Sequence, residues 1–209
     1  MLRIIIADDH EVVRRGLRQI LLDQFAGAFI EEVADAEDLI SKIMQSNWDV
    51  VISDINMPGR TGLDALKQIR ATHPELPVLM LSIHPEEHYA IRVLKAGASG
   101  YLNKDSASDE LIKAVQKVLL GKKYFSQYVM EQLANNMGTD LSKQAYENLS
   151  NREFDVMKLL ASGKSISKIA EKLSLSVTTV STYRTRVMKK TGLNSNSELT
   201  KYAIENQLM

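Results

Sequence analysis

The sequence predicts two domains: an α/β domain built on a doubly wound, five-stranded parallel sheet, and then a small all-α domain of four short helices. Three observations support this. Short apolar runs alternate with helical apolar stripes over residues 1–121, the pattern loosens over residues 122–147, and only helical stripes follow over residues 148–209. We take these three ranges as first domain, partly helical linker and second domain.

Five short, mainly apolar runs, of which the first is rich in β-branched residues, predict the strands of the first domain. In chain order they cover residues 2–7, 29–34, 49–53, 77–81 and 100–102. Each run is too short for a buried helix, and continuous apolarity indicates burial on both faces.

A helical stripe follows each strand, with apolar residues at i, i+3 or i+4, and i+7. The fourth is expected at residues 86–95, and representative members of the other stripes are Leu17, Leu21, Leu39, Ile43, Leu63, Leu66, Leu111 and Val115. Strands alternating with helices predict a parallel sheet covered on both faces, with right-handed crossovers.

The linker segment is polar and turn-rich at residues 135–140, and we expect a short helix before it near residues 129–133. In the second domain, Ser150 with Glu153 and Ser195 with Glu198 have the spacing of capping boxes at helix starts. Two further helices are expected around residues 166–173 and 177–190. The tight, serine-containing turn between them is typical of a helix-turn-helix unit that binds DNA.

Composition excludes several classes of protein. The chain has 209 residues and no cysteine, which rules out a disulfide scaffold, a thiol nucleophile and a cysteine zinc site. No apolar run approaches the roughly 20 residues needed to cross a bilayer, and no signal peptide is evident. We therefore expect a soluble cytoplasmic protein without a membrane partner.

Charge is divided unevenly along the chain. Residues 1–124 carry 15 basic and 18 acidic side chains, a net −3, whereas residues 149–209 carry 10 and 5, a net +5. Residues 172–197 contain five basic residues and no acidic one. This segment is a candidate surface for a polyanion, and the division indicates two modules with different partners.

Polar residues stand at the carboxyl ends of the predicted strands, where ligands bind in doubly wound sheets. They are Asp8 and Asp9 after the first strand, Asp54 after the third, Ser82 after the fourth and Lys104 after the fifth. A single aspartate at a strand end is most often a cap or a solvated turn residue, but the full set predicts a site. Three close carboxylates call for a cation, and Mg²⁺ suits oxygen ligands.

The chemistry expected of this site is phosphoryl transfer onto a carboxylate. An ionised aspartate beside Mg²⁺ can attack a phosphoryl group, while the Lys104 ammonium stabilises charge on the transferred oxygens. The Ser82 hydroxyl can donate a hydrogen bond to the new phosphate.

The motifs that carry this set resemble those of a bacterial two-component receiver domain, which has a flavodoxin-like fold. These motifs are Ala7-Asp8-Asp9-His10, Ser53-Asp54-Ile55-Asn56-Met57-Pro58-Gly59, Leu81-Ser82 and Tyr101-Leu102-Asn103-Lys104-Asp105. The later Leu149-Ser150-Asn151-Arg152-Glu153 and Ile169-Ala170-Glu171-Lys172-Leu173 resemble the LuxR-type helix-turn-helix. Together they resemble a response regulator of the NarL/FixJ family.

The resemblance implies a role for each site residue. Asp54 would accept the phosphoryl group, and Asp8, Asp9, Asp54 and the backbone carbonyl of Asn56 would hold Mg²⁺. Ser82 and Tyr101 would form the switch pair, although ordinary core packing explains Tyr101 nearly as well. In the family, the positions of Asn56 and His84 influence phosphate lifetime.

The helix expected at residues 177–190 has one apolar side and one polar side at about 100° per residue. The candidate DNA-contacting residues are Thr178, Ser181, Thr182 and Thr185 for bases, with Arg184, Arg186, Lys189 and Lys190 for phosphates or guanine. A solvated helix face is the plainer interpretation of a basic helix alone. The helix-turn-helix order and the charge division favour DNA.

We therefore expect a transcription regulator that is not an enzyme. By the resemblance, a sensor histidine kinase phosphorylates it, it dimerises, and it binds promoter DNA, with RNA polymerase as a further partner. Two alternatives stay open: a phosphotransferase or phosphatase that uses Asp54, and an adaptor or DNA binder that works without phosphorylation.

Overall fold

The structure is a computed structural model that describes residues 1–84, 86–127, 129–131, 145–206 and 208. It divides into two compact units, residues 1–138 and residues 139–209. The predicted turn-rich linker at residues 135–140 lies outside the described residues. Residues 129–131 are helical, in agreement with the short helix expected there.

The first unit is a five-stranded parallel sheet in the order β2-β1-β3-β4-β5, as the sequence predicts. Its strands are β1 (Arg3–Ala7), β2 (Phe29–Val33), β3 (Val50–Asp54), β4 (Val78–Ser82) and β5 (Gly100–Asn103). Its helices are α1 (Glu11–Gln24), α2 (Ala36–Gln45), α3 (Gly62–Thr72), α4 (Glu86–Lys95) and α5 (Ala107–Leu119).

The central strands are buried from end to end, which explains their unbroken apolar sequence. Every residue of β3 and β4 is buried. On one face, Ile4, Ile52 and Leu81 pack with Leu111 and Val115 of α5 in a single apolar core.

Two of these strands end on a polar residue. Asp54 pairs in register with Leu81, and Ser82 pairs with Asn103, so both are ladder residues rather than loop residues. The backbone pairing therefore holds both side chains at the edge of the sheet.

The segment after α5 adds an isolated parallel bridge beside β5. The backbone N–H of Tyr124 donates to the Ser99 carbonyl at 2.8 Å, and the Tyr124 carbonyl accepts from Tyr101 at 3.0 Å. A Cβ at Gly100 would lie 2.7 Å from the Tyr124 carbonyl oxygen, so the close approach of the two segments depends on glycine.

The second unit contains α6 (Asn151–Ala161), α7 (Ile166–Lys172), α8 (Val177–Thr191) and α9 (Asn196–Glu205). Its core is apolar, and its buried members include Phe154, Met157, Leu160, Ile169, Val180, Val187 and Leu199. Ser174, at φ 53°, turns the chain between α7 and α8, and Gly192, at φ 72°, ends α8.

One predicted capping box forms and the other forms only in part. At α6, Ser150 and Glu153 each accept the other's backbone N–H. At α9, Ser195 accepts from the Glu198 backbone, but the Glu198 carboxylate accepts from Asn194 at 2.7 Å. The prediction of a capping box at α9 was therefore wrong in one of its two hydrogen bonds. The Glu198 carboxylate accepts from the backbone of Asn194, one residue before the expected donor, Ser195.

Candidate functional site

The polar residues predicted at the strand ends lie together at the carboxyl edge of the sheet. Asp8 follows β1 directly and is fully buried, and Asp54 ends β3 and is 4% exposed. Ligand atoms of Asp8, Asp9, His10 and Asp54 all lie within 4.8 Å of one another. The sheet thus brings three carboxylates from two neighbouring strands to one point.

Lys104 bridges the two buried carboxylates. It follows β5, and its Nζ lies 2.6 Å from Asp8 Oδ2 and 2.7 Å from Asp54 Oδ2. The amine thus shares its one positive charge between two buried negative charges.

For both Asp54 and Lys104, burial and the charge of the other residue shift the pKa in opposite directions. Burial raises the pKa of Asp54 above its ordinary value, and the nearby Lys104 ammonium, which lowers it, does not fully compensate. Burial would lower the pKa of Lys104, but the charges and hydrogen bonds of Asp54 and Asp8 outweigh it and raise the pKa. A single ammonium therefore does not balance the buried carboxylates, and a further cation would.

The donor set fits a hard divalent ion. Asp8, Asp9 and Asp54 supply carboxylate oxygens, which Mg²⁺ prefers. In the described part of the chain, buried Asn56 Oδ1 has no hydrogen-bond partner, so an unsatisfied oxygen acceptor lies two residues beyond Asp54. The backbone N–H of Asn56 donates to Asp54 Oδ1 at 3.2 Å. The predicted role of the Asn56 carbonyl in metal binding stays a prediction.

His10 belongs to this cluster, although the sequence analysis did not select it. Its Nδ1 lies 2.8 Å from Asp9 Oδ1 and 3.3 Å from Asp8 Oδ1. Only its place directly after Asp8 and Asp9 could have indicated this contact.

Gly62 is a second residue that the sequence analysis missed. A Cβ at this position would lie 1.8 Å from the backbone oxygen of Asp54 and 2.9 Å from Ser53 Oγ. Any larger residue would therefore displace the strand end that carries Asp54. A glycine in the first turn of a helix was the only signal, since glycine is a poor helix former there.

The predicted switch residues are linked through the backbone of His84. The His84 N–H donates to Ser82 Oγ at 3.1 Å, and the His84 carbonyl accepts from the Tyr101 hydroxyl at 2.7 Å. The Tyr101 ring lies inward, 4% exposed, and the His84 ring stacks on that of Tyr89 with centroids 4.6 Å apart. The backbone of one residue, His84, therefore contacts both members of the predicted switch pair.

The polar side of α8 is as expected from its sequence. Val180 and Val187 are buried, whereas Thr178, Thr182, Thr185, Arg186 and Lys189 are exposed. Ser181 and Arg184 are intermediate. The exposed residues form a surface of hydroxyls, methyls and cations.

Two of the predicted DNA contacts have partners within their own unit. Lys190 Nζ lies 2.6 Å from Glu153 Oε2, and Arg184 Nε donates to Asn196 Oδ1 at 3.1 Å. Both side chains lie at the margin of the apolar side, where the sequence places them. Their contacts with DNA stay predictions.

No helix in the described ranges combines the length and the apolar character that crossing a membrane requires.

Two family models match the chain, one for each unit. Residues 4–116 match the response regulator receiver domain, and residues 147–203 match the luxR family of bacterial regulatory proteins.

Relatives of known name match over the full length. The chain is 33% identical over 209 residues to response regulator UvrY of Escherichia coli K12, covering all of this chain and 96% of UvrY. It is 36% identical over 215 residues to oxygen regulatory protein NreC of Staphylococcus carnosus, covering all of this chain and 99% of NreC.

Solved structures of a third protein share the fold. RcsB from Salmonella enterica serovar Typhimurium, bound to promoter rprA in the presence of phosphomimetic BeF₃⁻, is 27% identical with a TM-score of 0.60, covering 97% of this chain and 98% of RcsB. A structure of an RcsB–DNA complex is 29% identical with a TM-score of 0.58, covering 96% of each chain.

Proposed function

The chain belongs to the NarL/FixJ family of response regulators, with a receiver domain and a LuxR-type DNA-binding domain, and from that membership we propose that phosphorylation of Asp54 controls its binding to promoter DNA. The donor is a sensor histidine kinase. The observation that carries the proposal is the buried Asp54 carboxylate, held 2.7 Å from the Lys104 ammonium beside Asp8 and Asp9.

The proposed reaction uses the Asp54 carboxylate as nucleophile. One carboxylate oxygen forms a bond to phosphorus while the bond from phosphorus to the kinase histidine nitrogen breaks, and that nitrogen takes up a proton. Asn56 orients the carboxylate through its backbone N–H, which donates to Asp54 Oδ1 at 3.2 Å. Lys104 neutralises charge on the phosphoryl oxygens.

We propose that Mg²⁺ is the metal of this site, with Asp8, Asp9, Asp54 and the Asn56 carbonyl as its protein ligands. When bound, it supplies Lewis-acid stabilisation of the phosphoryl oxygens. The oxygen-rich donor set and the imbalance between two buried carboxylates and one ammonium support this assignment.

After transfer, the switch residues respond to the new charge. The Ser82 hydroxyl donates to a phosphoryl oxygen, and His84 transmits its movement because it contacts both Ser82 and Tyr101. The inward Tyr101 ring then belongs to the state that phosphorylation stabilises. A conformation already accessible is made dominant, as in other population shifts.

The second unit supplies the DNA-binding surface. Helix α8 would enter the major groove with its exposed hydroxyl and cationic side, while Val180 and Val187 anchor it to the other helices. RcsB has been solved bound to promoter rprA, and as two dimers bound to two parallel DNAs. By that similarity we propose a homodimer on promoter DNA, with RNA polymerase as a further partner.

The two alternatives are less well supported. Asn56, rather than a second aspartate, stands two residues beyond Asp54, which disfavours a phosphotransferase or phosphatase with repeated turnover. A regulator independent of phosphorylation would not need the Lys104 bridge between Asp8 and Asp54.

The test is retention of genomic DNA with and without a small phosphodonor and Mg²⁺. Host DNA is sheared and incubated with the full chain, and the retained fragments are sequenced. Asp54→Ala is run in parallel, and Asp105→Ala serves as a matched control on an exposed carboxylate.

We expect discrete peaks that require the phosphodonor and disappear with Asp54→Ala alone. Peaks that persist in Asp54→Ala would contradict phosphorylation control and favour a constitutive DNA binder. No enrichment under any condition would favour an adaptor.

A further inference from the structure

The first two turns of α8 lack every side chain that makes paired hydrogen bonds to a base. Between Val177 and Tyr183 the sequence contains no arginine, lysine, asparagine or glutamine. The first cation, Arg184, already donates its Nε proton to Asn196 Oδ1 at 3.1 Å. Any base contact from these turns must therefore come from hydroxyl and methyl groups.

Three hydroxyls on the polar side of α8 donate their protons to the helix itself. Ser181 donates to the Val177 carbonyl at 2.9 Å, Thr182 to that of Thr178 at 3.0 Å, and Thr185 to that of Ser181 at 3.1 Å. A carbonyl oxygen carries no hydrogen, so in each bond the hydroxyl is the donor. These side chains are left with oxygen lone pairs and, on threonine, the Cγ2 methyl group for an outside partner.

The two threonines present these groups to solvent. Thr182 and Thr185 are both exposed, three residues apart on the same side of α8. Thr178, one turn before Thr182 on that side, is exposed as well and adds another methyl group. The surface that Thr182 and Thr185 present is therefore apolar and hydrogen-bond accepting.

Such a surface matches thymine and not guanine. Guanine presents the acceptors O6 and N7 in the major groove, which require donors, whereas thymine presents a C5-methyl group. We propose that Thr182 and Thr185 recognise thymine C5-methyl groups, so that the operator bases facing the first turns of α8 are A·T pairs. The inference rests on the proposed function, namely that α8 enters the major groove.

Cations suited to guanine and phosphate lie further along α8. Arg186 and Lys189 are exposed and follow the hydroxyl-rich turns. Guanine and phosphate contacts from α8 then belong to its C-terminal half.

The experiment first selects preferred sites from random duplex DNA with the full chain, phosphodonor and Mg²⁺. Each thymine of the selected site is then replaced by uracil, which removes only the methyl group, and Kd is measured. Thr182→Ser deletes the protein methyl and keeps the hydroxyl, whereas Thr182→Val does the reverse. Thr191→Ser is the matched control, since Thr191 makes the same type of bond to the Val187 carbonyl, at 2.8 Å, in the last turn.

We expect uracil in place of one thymine facing Thr182 to weaken binding by the wild type about fourfold, the equivalent of about 0.8 kcal/mol for one buried methyl-sized group. Thr182→Val should keep this discrimination. Thr182→Ser removes the methyl group from both protomers of the dimer, so it should bind the thymine site about fifteenfold more weakly, the equivalent of about 1.6 kcal/mol, and lose the discrimination there. Thr191→Ser should behave as the wild type.

Three results would overturn the inference while leaving DNA binding intact: no effect of uracil on the wild type, loss of discrimination in Thr182→Val but not in Thr182→Ser, or an essential guanine at the position mapped to Thr182. A chain that selects no sequence at all would overturn the proposed function as well. Circular dichroism of each variant checks that the helices remain.

Discussion

Lys104 is the residue on which the electrostatics of the receiver site depend. Its side chain is 12% exposed, and its ammonium contacts Asp8 and Asp54, which are themselves buried. A carboxylate buried without a partner is far more costly than one that is paired. Lys104 therefore stabilises the receiver fold as well as its proposed phosphorylated state.

We expect Lys104→Met to destabilise the first unit by about 3 kcal/mol in the presence of a chelator, because two buried carboxylates lose their counter-charge. Mg²⁺ should restore more stability to this variant than to the wild type. Urea unfolding with chelator and with Mg²⁺ measures both effects.

Lys113→Met, an exposed lysine on α5, is the control, and we expect it to change stability by less than about 0.5 kcal/mol. Equal stability of Lys104→Met and Lys113→Met would show that the ion pairs contribute nothing.

The sequence was sufficient to predict that Asp8, Asp54 and Lys104 lie together, because the ends of parallel strands share one edge of the sheet. It was not sufficient for Gly62. The contact of that glycine with the Asp54 backbone depends on the path of the loop after β3, which no periodicity encodes.

At the scale of elements, α8 is joined to α6 by an ion pair. Glu153 is 2% exposed, and its carboxylate accepts from the Ser150 backbone at 2.7 Å and from Lys190 at 2.6 Å. The same side chain thus completes the cap of α6 and holds the C-terminal turn of α8.

Of the two contacts of the Glu153 carboxylate, the sequence predicted one and missed the other. The capping box was predictable because it is local, with Ser150 and Glu153 three residues apart. The bond to Lys190 was not, since it joins residues 37 apart in the chain. The sequence alone therefore did not indicate that Lys190 has a partner.

We expect Glu153→Gln to lower the stability of the second unit by about 1–2 kcal/mol near neutral pH, because the amide keeps the cap but loses the charge. Burial would raise the pKa of Glu153, but Lys190 and Ser150 outweigh it, so the pKa lies below its ordinary value. A lowered pKa adds stability above the unfolded value of about 4.3, and this stability is lost as the pH falls through the folded value.

Urea unfolding from neutral pH down to about pH 3 tests this. The difference between wild type and Glu153→Gln should be constant near neutrality and shrink only in the acid range. Glu171→Gln, at an exposed position on α7, is the control. A difference that grows on acidification would contradict the assigned pKa direction.

At the scale of the whole molecule, charge is separated between an acidic receiver and a basic DNA-binding unit. The net charges of −3 over residues 1–124, −2 over residues 125–148 and +5 over residues 149–209 sum to zero, but they are separated along the chain. The division of charge was predictable from counting charged residues, and the doubly wound fold was predictable from the alternation of apolar runs with helical stripes. The number of cations available to bind DNA was not predictable, because Lys190 and Arg184 have partners within their own unit.

The salt dependence of DNA affinity distinguishes these cations. Each cation removed from a DNA phosphate should reduce the slope of log affinity against log salt by about 0.9. Because Lys189 is exposed, whereas the Lys190 ammonium is held by Glu153, we expect Lys189→Ala to reduce the slope by the equivalent of about one phosphate, equally for all DNA sequences, and Lys190→Ala to reduce it less. Lys201→Ala is the control, because Lys201 lies on α9 with its ammonium 3.8 Å from Glu205, and it should leave the slope unchanged.

Equal slopes for Lys189→Ala and the wild type, or a weakening of affinity confined to one class of sequence, would contradict binding of Lys189 to a phosphate. Since sequence-independent attraction comes from cations paired with phosphates, their number determines how strongly the regulator is held on DNA before the bases facing α8 are distinguished.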